Sequence, residues 1–429
     1  MKKIAVHTLG CKVNQYDTEA MLECFERAGW EAVPFDSGEA DLYLVNTCTV
    51  TGTGDQKSLR LIRHLGREFP KAHIIVAGCL AQRDAARVTL PGVRLVIGTQ
   101  RRSEVVPLYE AALAQNGPLI AVGPLKGAAF ERLFVSRHEG KTRAVMKIQE
   151  GCDRWCSYCI IPSVRGPVRS MPLEAVKAEA ARLGEAGYCE LVLTGIHLVS
   201  YGRESGERLA DAIRAAHDAS GVRRVRLGSL EPVVVTDEFC RAIKAMPRLC
   251  PQFHLALQSG CDSVLSRMKR RYTTAEFREA AAKLRACLPG CALTTDVLTG
   301  FPGETDAEAE ETLAFVESIG FARIHVFPYS RRAGTLADRM GAQVPQAVKR
   351  DRAAKLIALG NKLAASYAKE MIGAVREVLF EEENEGYTPE YVRVRVDGAG
   401  EPGSIRRVLI GRTEDELAFG RVLQDERSE

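Results

Sequence analysis

The sequence predicts an α/β protein of several domains: an open parallel α/β sheet at the N-terminus, a central partial (β/α)6 barrel, and a small antiparallel β-barrel at the C-terminus. Three observations predict it. Short apolar runs alternate with amphipathic helical stretches through the first quarter of the chain, a pattern that pairs strands in parallel under helices on both faces. Six more strand-then-helix units follow in series, the signature of a barrel-like sheet. Past residue 371 the helical periodicity stops and short alternating β runs replace it, as in an antiparallel module.

With 429 residues the chain is too long for one ordinary domain. Residues 1–115 form the first, with buried strands at 3–9, 41–47, 73–78 and 93–98 and helices near 16–29 and 56–69. Residues 116–140, containing GPLI and GPLKG, read as an irregular linker. Residues 141–371 carry strands at 143–148, 190–194, 224–228, 253–257, 292–298 and 323–327. Helices fall between them near 173–186, 207–219, 236–246, 274–286 and 305–319, and a basic helix trails over 345–371. Residues 372–429 form the last module, with strands at 375–380, 391–396, 404–410 and 416–422.

Hydrophobic residues are 46% and charged residues 27%, the balance of a soluble globular protein. The net charge of +4 permits a nucleic-acid partner without demanding one. No apolar run approaches the roughly 18 residues that span a bilayer. The opening MKKIAVHTLGC has too short an apolar part, interrupted by His7, to be a signal core. A cytoplasmic protein without a membrane partner is expected, and its 13 cysteines then read as metal-binding or catalytic rather than as disulfides.

The sharpest local signal is Gly151-Cys152-Asp153-Arg154-Trp155-Cys156-Ser157-Tyr158-Cys159. Three thiolates on one short loop suit three irons of a [4Fe–4S] cube, whereas structural zinc needs four ligands and no fourth Cys or His is near in sequence. The loop follows the first barrel strand at its carboxyl end, where barrel enzymes keep their chemistry. A second constellation emerges only with the strands in place. Cys11, Cys48 and Cys79 each follow a strand of the first domain, and the carboxyl ends of parallel strands line one crevice. On this placement alone, a shared site and three buried strand-end thiols are equally good readings.

CxxxCxxC with an aromatic before its last Cys, opening a β/α barrel, resembles the radical S-adenosylmethionine enzymes. The chain as a whole resembles the methylthiotransferases of that superfamily, through HTLGCKVNQYDTEAM (7–21), VNTCTVT (45–51), VAGCLAQ (76–82), EGCDRWCSYCIIPSVRGPVRS (150–170), LQSGCDSVLSRMKRRY (257–272) and TTDVLTGFPGET (294–305). Through LGCKVNQYD and RGPVRS it most resembles the tRNA threonylcarbamoyladenosine methylthiotransferases. The resemblance implies a TIM-like radical S-adenosylmethionine core, a TRAM-like C-terminal module and two [4Fe–4S] clusters. Cys152, Cys156 and Cys159 would hold the cluster that binds and cleaves S-adenosylmethionine, and Cys11, Cys48 and Cys79 an auxiliary one that carries the sulfur. It also implies a flavodoxin- or ferredoxin-type electron donor and leaves the sulfur donor open. Polar residues at later strand ends are candidates for holding S-adenosylmethionine: Thr194, Gly195, Ser229, Glu231, Gln258, Ser259 and Asp296, with Tyr158 against the adenine. Their plainer readings are turn residues, a helix cap for Glu231 and core for Tyr158. Two other substrates fit the same chemistry, isopentenyladenosine in tRNA and an aspartate of a ribosomal protein. A non-catalytic metal-containing RNA-binding protein is the reading from a different class.

Basic residues supply candidate RNA contacts. Lys57, Arg60, Arg63, His64, Arg67 and Lys71 recur at three- and four-residue steps, so they share a helix face that can follow a phosphate backbone. Arg267, Lys269, Arg270 and Arg271 form a second cluster, Arg331 and Arg332 a third at the barrel mouth. Arg393 and Arg395 alternate on one strand of the last module, with Arg406 and Arg407 beside them. That module nevertheless carries a net charge of −6 over residues 374–429, a poor electrostatic footprint for RNA.

Overall fold

The computed structural model describes residues 1–135, 142–398 and 400–424. The first domain is a six-stranded sheet in the order β2-β1-β3-β4-β5-β6, parallel throughout. Its strands are β1 (Lys3–Thr8), β2 (Glu31–Ala32), β3 (Leu42–Thr47), β4 (His73–Gly78), β5 (Val93–Ile97) and β6 (Leu119–Ala121). Alternate side chains of each strand feed two cores. Ile4, Leu42, Leu44 and Ile75 meet Met21 and Phe25 of helix α1 (Lys12–Arg27) on one face. Tyr43, Val45, Ile74 and Val76 meet Leu59, Ile62 and Leu65 of helix α2 (Gly52–Glu68) on the other. The expected linker 116–140 is therefore only partly irregular: β6 lies inside it and pairs with β5. Three apolar residues amid Gly and Pro are too short to show a period in sequence. Residues 136–140 of that stretch lie outside the described residues.

The central part has six parallel strands, β7 (Arg143–Glu150), β9 (Glu190–Gly195), β10 (Arg224–Leu227), β11 (Gln252–His254), β12 (Ala292–Thr299) and β13 (Arg323–Pro328). A two-residue antiparallel strand, β8 (Arg169–Ser170), edges β7. The ladder is continuous from β8 to β10 and from β11 to β13. Between β10 and β11 it narrows to the bridges Val225↔Leu249 and Leu230↔Leu255. The barrel is open between β8 and β13, and the first domain sits across the opening. On the β13 side Arg332, only 3% exposed, pairs with Asp55 at 2.7 Å, and Arg83 donates to the carbonyl of Ala333 at 2.7 Å. On the β8 side Arg165 reaches Asp17 of α1 at 3.1 Å.

Helix α1 enters the barrel itself. Ala144, Met146 and Ile148 of β7 face the outer core with the barrel helices, while Val145 and Val192 face Tyr16 and Ala20 of α1. The inner face of β7 and β9 is thus covered by the first domain.

The C-terminal module is a closed barrel in the order β14-β15-β16-β18-β17, formed by β14 (Val375–Glu382), β15 (Glu385–Tyr387), β16 (Arg393–Val396), β17 (Ile405–Glu414) and β18 (Leu417–Val422). It has five strands where the sequence shows four, because β15 is three residues long. One pairing, β16 with β18, is parallel rather than antiparallel. Its β15–β16 loop docks on the amino ends of the central strands: Arg226 donates to the Pro389 carbonyl at 2.9 Å and lies over the Tyr391 ring at 4.7 Å. Tyr391 stacks on Tyr387, and Arg143 covers both rings.

Candidate active site

The three strand-end cysteines of the first domain converge. Cys11 follows β1, Cys48 follows β3 and Cys79 follows β4. Gly10, with φ +115°, lets the β1 turn approach so closely that a Cβ there would lie 3.0 Å from Cys48 Cβ, a position that favours glycine twice over. Asn14 ties the strand ends together, donating to the carbonyls of Leu9 at 2.7 Å and Thr47 at 3.0 Å. Burial pushes the Cys79 thiol up to about 11, an effect the Arg165 charge partly offsets, and burial raises Cys48 as well.

The second triad lies on the loop after β7. Cys156 is buried and accepts from Arg270 Nη1 at 3.3 Å; Cys152 accepts from the Arg154 backbone at 3.5 Å. Burial raises Cys152 to about 11 and Cys159 to about 12. Such thiols stay protonated at neutral pH unless a metal displaces the proton. Among the described residues no three His, Cys, Asp or Glu side chains gather tightly enough for a single ion. A cube takes one thiolate per iron and tolerates wider spacing, and N–H donors on the sulfurs are among the groups that tune it. The donor sets therefore fit [4Fe–4S] clusters.

Glu231 organises the wall beside this loop. Its carboxylate meets Arg270 at 2.8 Å, His197 Nε2 at 3.1 Å and Arg154 at 3.2 Å. Burial alone would raise its pKa; the His197 hydrogen bond and the Arg270 charge hold it down to about 2. Glu231 is thus no helix cap, since its side chain makes no cap bond. Gly195 is required by close approach: a Cβ would meet the Gln149 Cβ at 2.8 Å. Gln258 holds φ +66° and bonds through its backbone to Asp296 and Leu298, a strained position for a non-glycine residue and one that clusters at functional sites. Asp296 faces His254 at 3.4 Å. Thr194 is buried and Ser229 exposed, each at the carboxyl end of its strand. Ser259 turns the other way, its hydroxyl on Thr312 at 3.2 Å and on the Cys261 N–H. Tyr158 packs edge-on against Phe301 in a small core.

The basic clusters divide. Lys57, Arg60, Arg63, His64 and Arg67 are exposed along α2, and no ion pair engages them among the described residues. Arg60, Arg63 and Arg67 line a depression of about 400 Å³ with Arg87. The other sequence candidates differ in how free they are. Arg332 is buried on Asp55, so it joins domains rather than meeting RNA. Arg270 is buried beside Cys156, and Arg267 is held by Glu308 at 2.8 Å. Arg331 is exposed but paired with Asp338. Arg393 and Arg395 both lean on Glu385, which blunts their charge.

Sequence reasoning missed a buried arginine that runs from the first triad to the strand end just before the second. Arg165 is fully buried and donates to Cys79 Sγ at 3.2 Å. The same side chain pairs with Asp17 and Glu150, each at 3.1 Å, and Glu150 stands two residues before Cys152. Arg102 and Lys147 complete the network on the same two acids, and Glu131 takes the far side of Arg102. Burial would raise Glu150, but Arg165, Lys147 and Arg102 bring it down to about 2. Nothing in composition separates these six charges from surface ones.

Residues 3–98 match the family described as Uncharacterized protein family UPF0004, and residues 146–316 match the Radical SAM superfamily. Threonylcarbamoyladenosine tRNA methylthiotransferase MtaB of Bacillus subtilis is 41% identical, over all of this chain and 99% of its own length. The chain belongs to the threonylcarbamoyladenosine tRNA methylthiotransferase family. The Thermotoga maritima methylthiotransferase of the same name is 39% identical across 89% of this chain and 87% of its own. Among solved structures, the radical S-adenosylmethionine methyltransferase TsrM of Kitasatospora setae, with cobalamin and a [4Fe-4S] cluster bound, shares the fold at a TM-score of 0.58. At 14% identity, with 88% of this chain and 81% of that one covered, the likeness to this methylthiotransferase is one of fold alone.

Proposed function

We propose that the protein transfers a methylthio group to C2 of the adenine of N6-threonylcarbamoyladenosine beside the anticodon of tRNA. The observation that carries this reading is end-to-end similarity to enzymes of that name, over a chain in which one buried arginine bonds both Cys79 of the first triad and Glu150, two residues before the second. The C2 position is an aromatic C–H without an acidic proton, so acid–base catalysis has no entry there. When bound, S-adenosylmethionine and the two [4Fe–4S] clusters supply the radical, the sulfur and the methyl group. Cys152, Cys156 and Cys159 hold one cluster, and Cys11, Cys48 and Cys79 the other. Thr194, Gly195, Ser229, Glu231, Gln258 and Asp296 border S-adenosylmethionine, with Glu231 keeping Arg154, His197 and Arg270 in place. Tyr158 and Ser259 back this wall from the core. A flavodoxin- or ferredoxin-type protein delivers the electron, and the reaction runs in the cytoplasm; among the described residues no helix is long and apolar enough to cross a membrane.

The test is reconstitution with three substrates: tRNA bearing threonylcarbamoyladenosine, tRNA bearing isopentenyladenosine, and a ribosomal-protein peptide. Methylthiolation only of the first is expected. A product confined to either of the others overturns the substrate assignment and leaves the radical chemistry standing.

Cys48→Ala separates the two clusters. Iron should fall from roughly eight to roughly four per chain, 5′-deoxyadenosine should still form, and methylthiolated tRNA should drop to background. Survival of methylthiolation would make the convergence of the three strand-end cysteines structural only.

Helix α2 begins one turn beyond Cys48 and carries its unpaired cations outward from there, from Lys57 to Arg67 in its last turn. Charge reversal at Arg60 and Arg67 together is expected to weaken tRNA binding about tenfold or more at physiological salt. It should flatten the log–log salt dependence by roughly 2, since each lost phosphate contact removes about one released counterion. Cleavage of S-adenosylmethionine in the absence of tRNA should not change. An unaltered salt slope would remove α2 from the RNA interface.

A further inference from the structure

A cavity of about 290 Å³ lies where the three parts of the molecule meet. Lys12 and Gln15 of α1 form one wall, Val192 on the inner face of β9 a second, and Tyr391 of the C-terminal module a third. Lys12 directly follows Cys11, so the cavity begins one residue from the first-domain triad. Arg143 and Tyr391 close it at the amino ends of the strands, and Val192 shares the inner face of β9 with Thr194, two residues nearer the carboxyl end.

The other charges around it are committed. Arg143 is held by Glu381 and Glu190 and covered by the rings of Tyr387 and Tyr391. Arg226 is held by Glu190 at 2.7 Å. Lys12 has no acidic partner within ion-pair distance among the described residues. The Thr142 hydroxyl, buried in the same lining, has no hydrogen-bond partner among them. The buried Thr142 hydroxyl is costly to leave unsatisfied, and Lys12, an exposed residue, brings an ammonium without an acidic partner to the rim of the same space. A ligand that brings an anion and acceptor oxygens offsets both.

We infer that this cavity receives the free carboxylate of the threonyl arm of the modified adenosine, with Lys12 as its counter-charge and the residue that sets specificity for that arm. The inference rests on the proposed function. An isopentenyl arm has no charge and would leave Lys12 desolvated and unpaired, which is how one cation both favours one substrate and rejects the other. Gln15 and Thr142 supply neutral donors for the neighbouring carbamoyl and hydroxyl oxygens.

The experiment measures binding of anticodon stem-loop RNAs to the reconstituted holoenzyme with S-adenosylmethionine and no reductant, so that nothing turns over. One RNA carries threonylcarbamoyladenosine as the free acid, the other as its methyl ester. The wild-type protein should bind the acid at least about tenfold more tightly than the ester. Lys12→Met should abolish that difference and Lys12→Arg restore part of it. Equal binding of acid and ester by the wild type overturns the inference with no variant needed, so a misfolded variant leaves the test intact. Discrimination that persists in Lys12→Met of normal iron content overturns it too. Failure of the proposed function shows separately, as absence of methylthiolation of the free-acid RNA by the wild type under reducing conditions.

Discussion

Cys156→Ala is expected to abolish reductive cleavage of S-adenosylmethionine. Cys156 is the most enclosed of the three loop cysteines, at 9% exposure, and its sulfur is the one that accepts from Arg270. Removing it leaves two thiols on the loop and an arginine aimed at a missing acceptor. Iron should fall by roughly four per chain, and 5′-deoxyadenosine should drop to the background without enzyme. The cavity left by one sulfur is small, so the barrel should remain folded, and circular dichroism of the variant should match the wild type. Undiminished 5′-deoxyadenosine would show that this loop does not carry the chemistry.

Arg165→Met should cost about 3–5 kcal/mol of stability, the penalty of leaving buried charges without their partner. Methionine keeps the volume and removes the cation, so Asp17 and Glu150 lose one of the three cations they share and Cys79 its donor. Urea unfolding of wild type and variant at pH 7 measures the loss directly. Its pH dependence has a fixed sign. Glu150 is depressed from 4.5 to about 2 in the folded protein, so the stability it contributes is complete above about 4.5 and is lost as pH falls toward 2. The gap between wild type and variant should therefore narrow over that window. A variant as stable as the wild type would mean that the network carries no net energy. Because Arg165 also touches the sulfur of Cys79, the variant should shift the reduction potential of the first-domain cluster.

The strands and helices of the first domain were legible because their apolar runs are long and bounded by Gly and Cys turns. The cysteine loop was legible because its three thiols are close in sequence. Convergence of Cys11, Cys48 and Cys79 followed from strand order, since all parallel strands end on one side. Short elements escaped: β6 and β15 have three residues each, too few to show a period. The buried charges escaped for another reason. Arg165, Arg270 and Arg332 sit among other basic residues in sequence, and a basic stretch looks alike whether it faces water or an acid from another domain. Asp55 and Arg332 are 277 residues apart, and no local pattern links them. The basic face of α2 was read from its period alone, and its exposure agrees with that pattern.

The position of α1 inside the barrel bears on how the chain is made. Its Tyr16–Ala20 face leaves the ribosome well before β7 and β9, the surfaces that will cover it. N-terminal domains ordinarily finish folding as they emerge, but this one carries an exposed stripe, and an Asp17 with Arg102 alone for a partner, until Lys147 and Arg165 arrive. The barrel in turn cannot hide Val145 and Val192 without α1. Cutting the chain between residues 121 and 142 would therefore yield two sticky halves rather than two domains. Co-expressed, they should assemble into one complex; expressed singly, each should require a chaperone or aggregate.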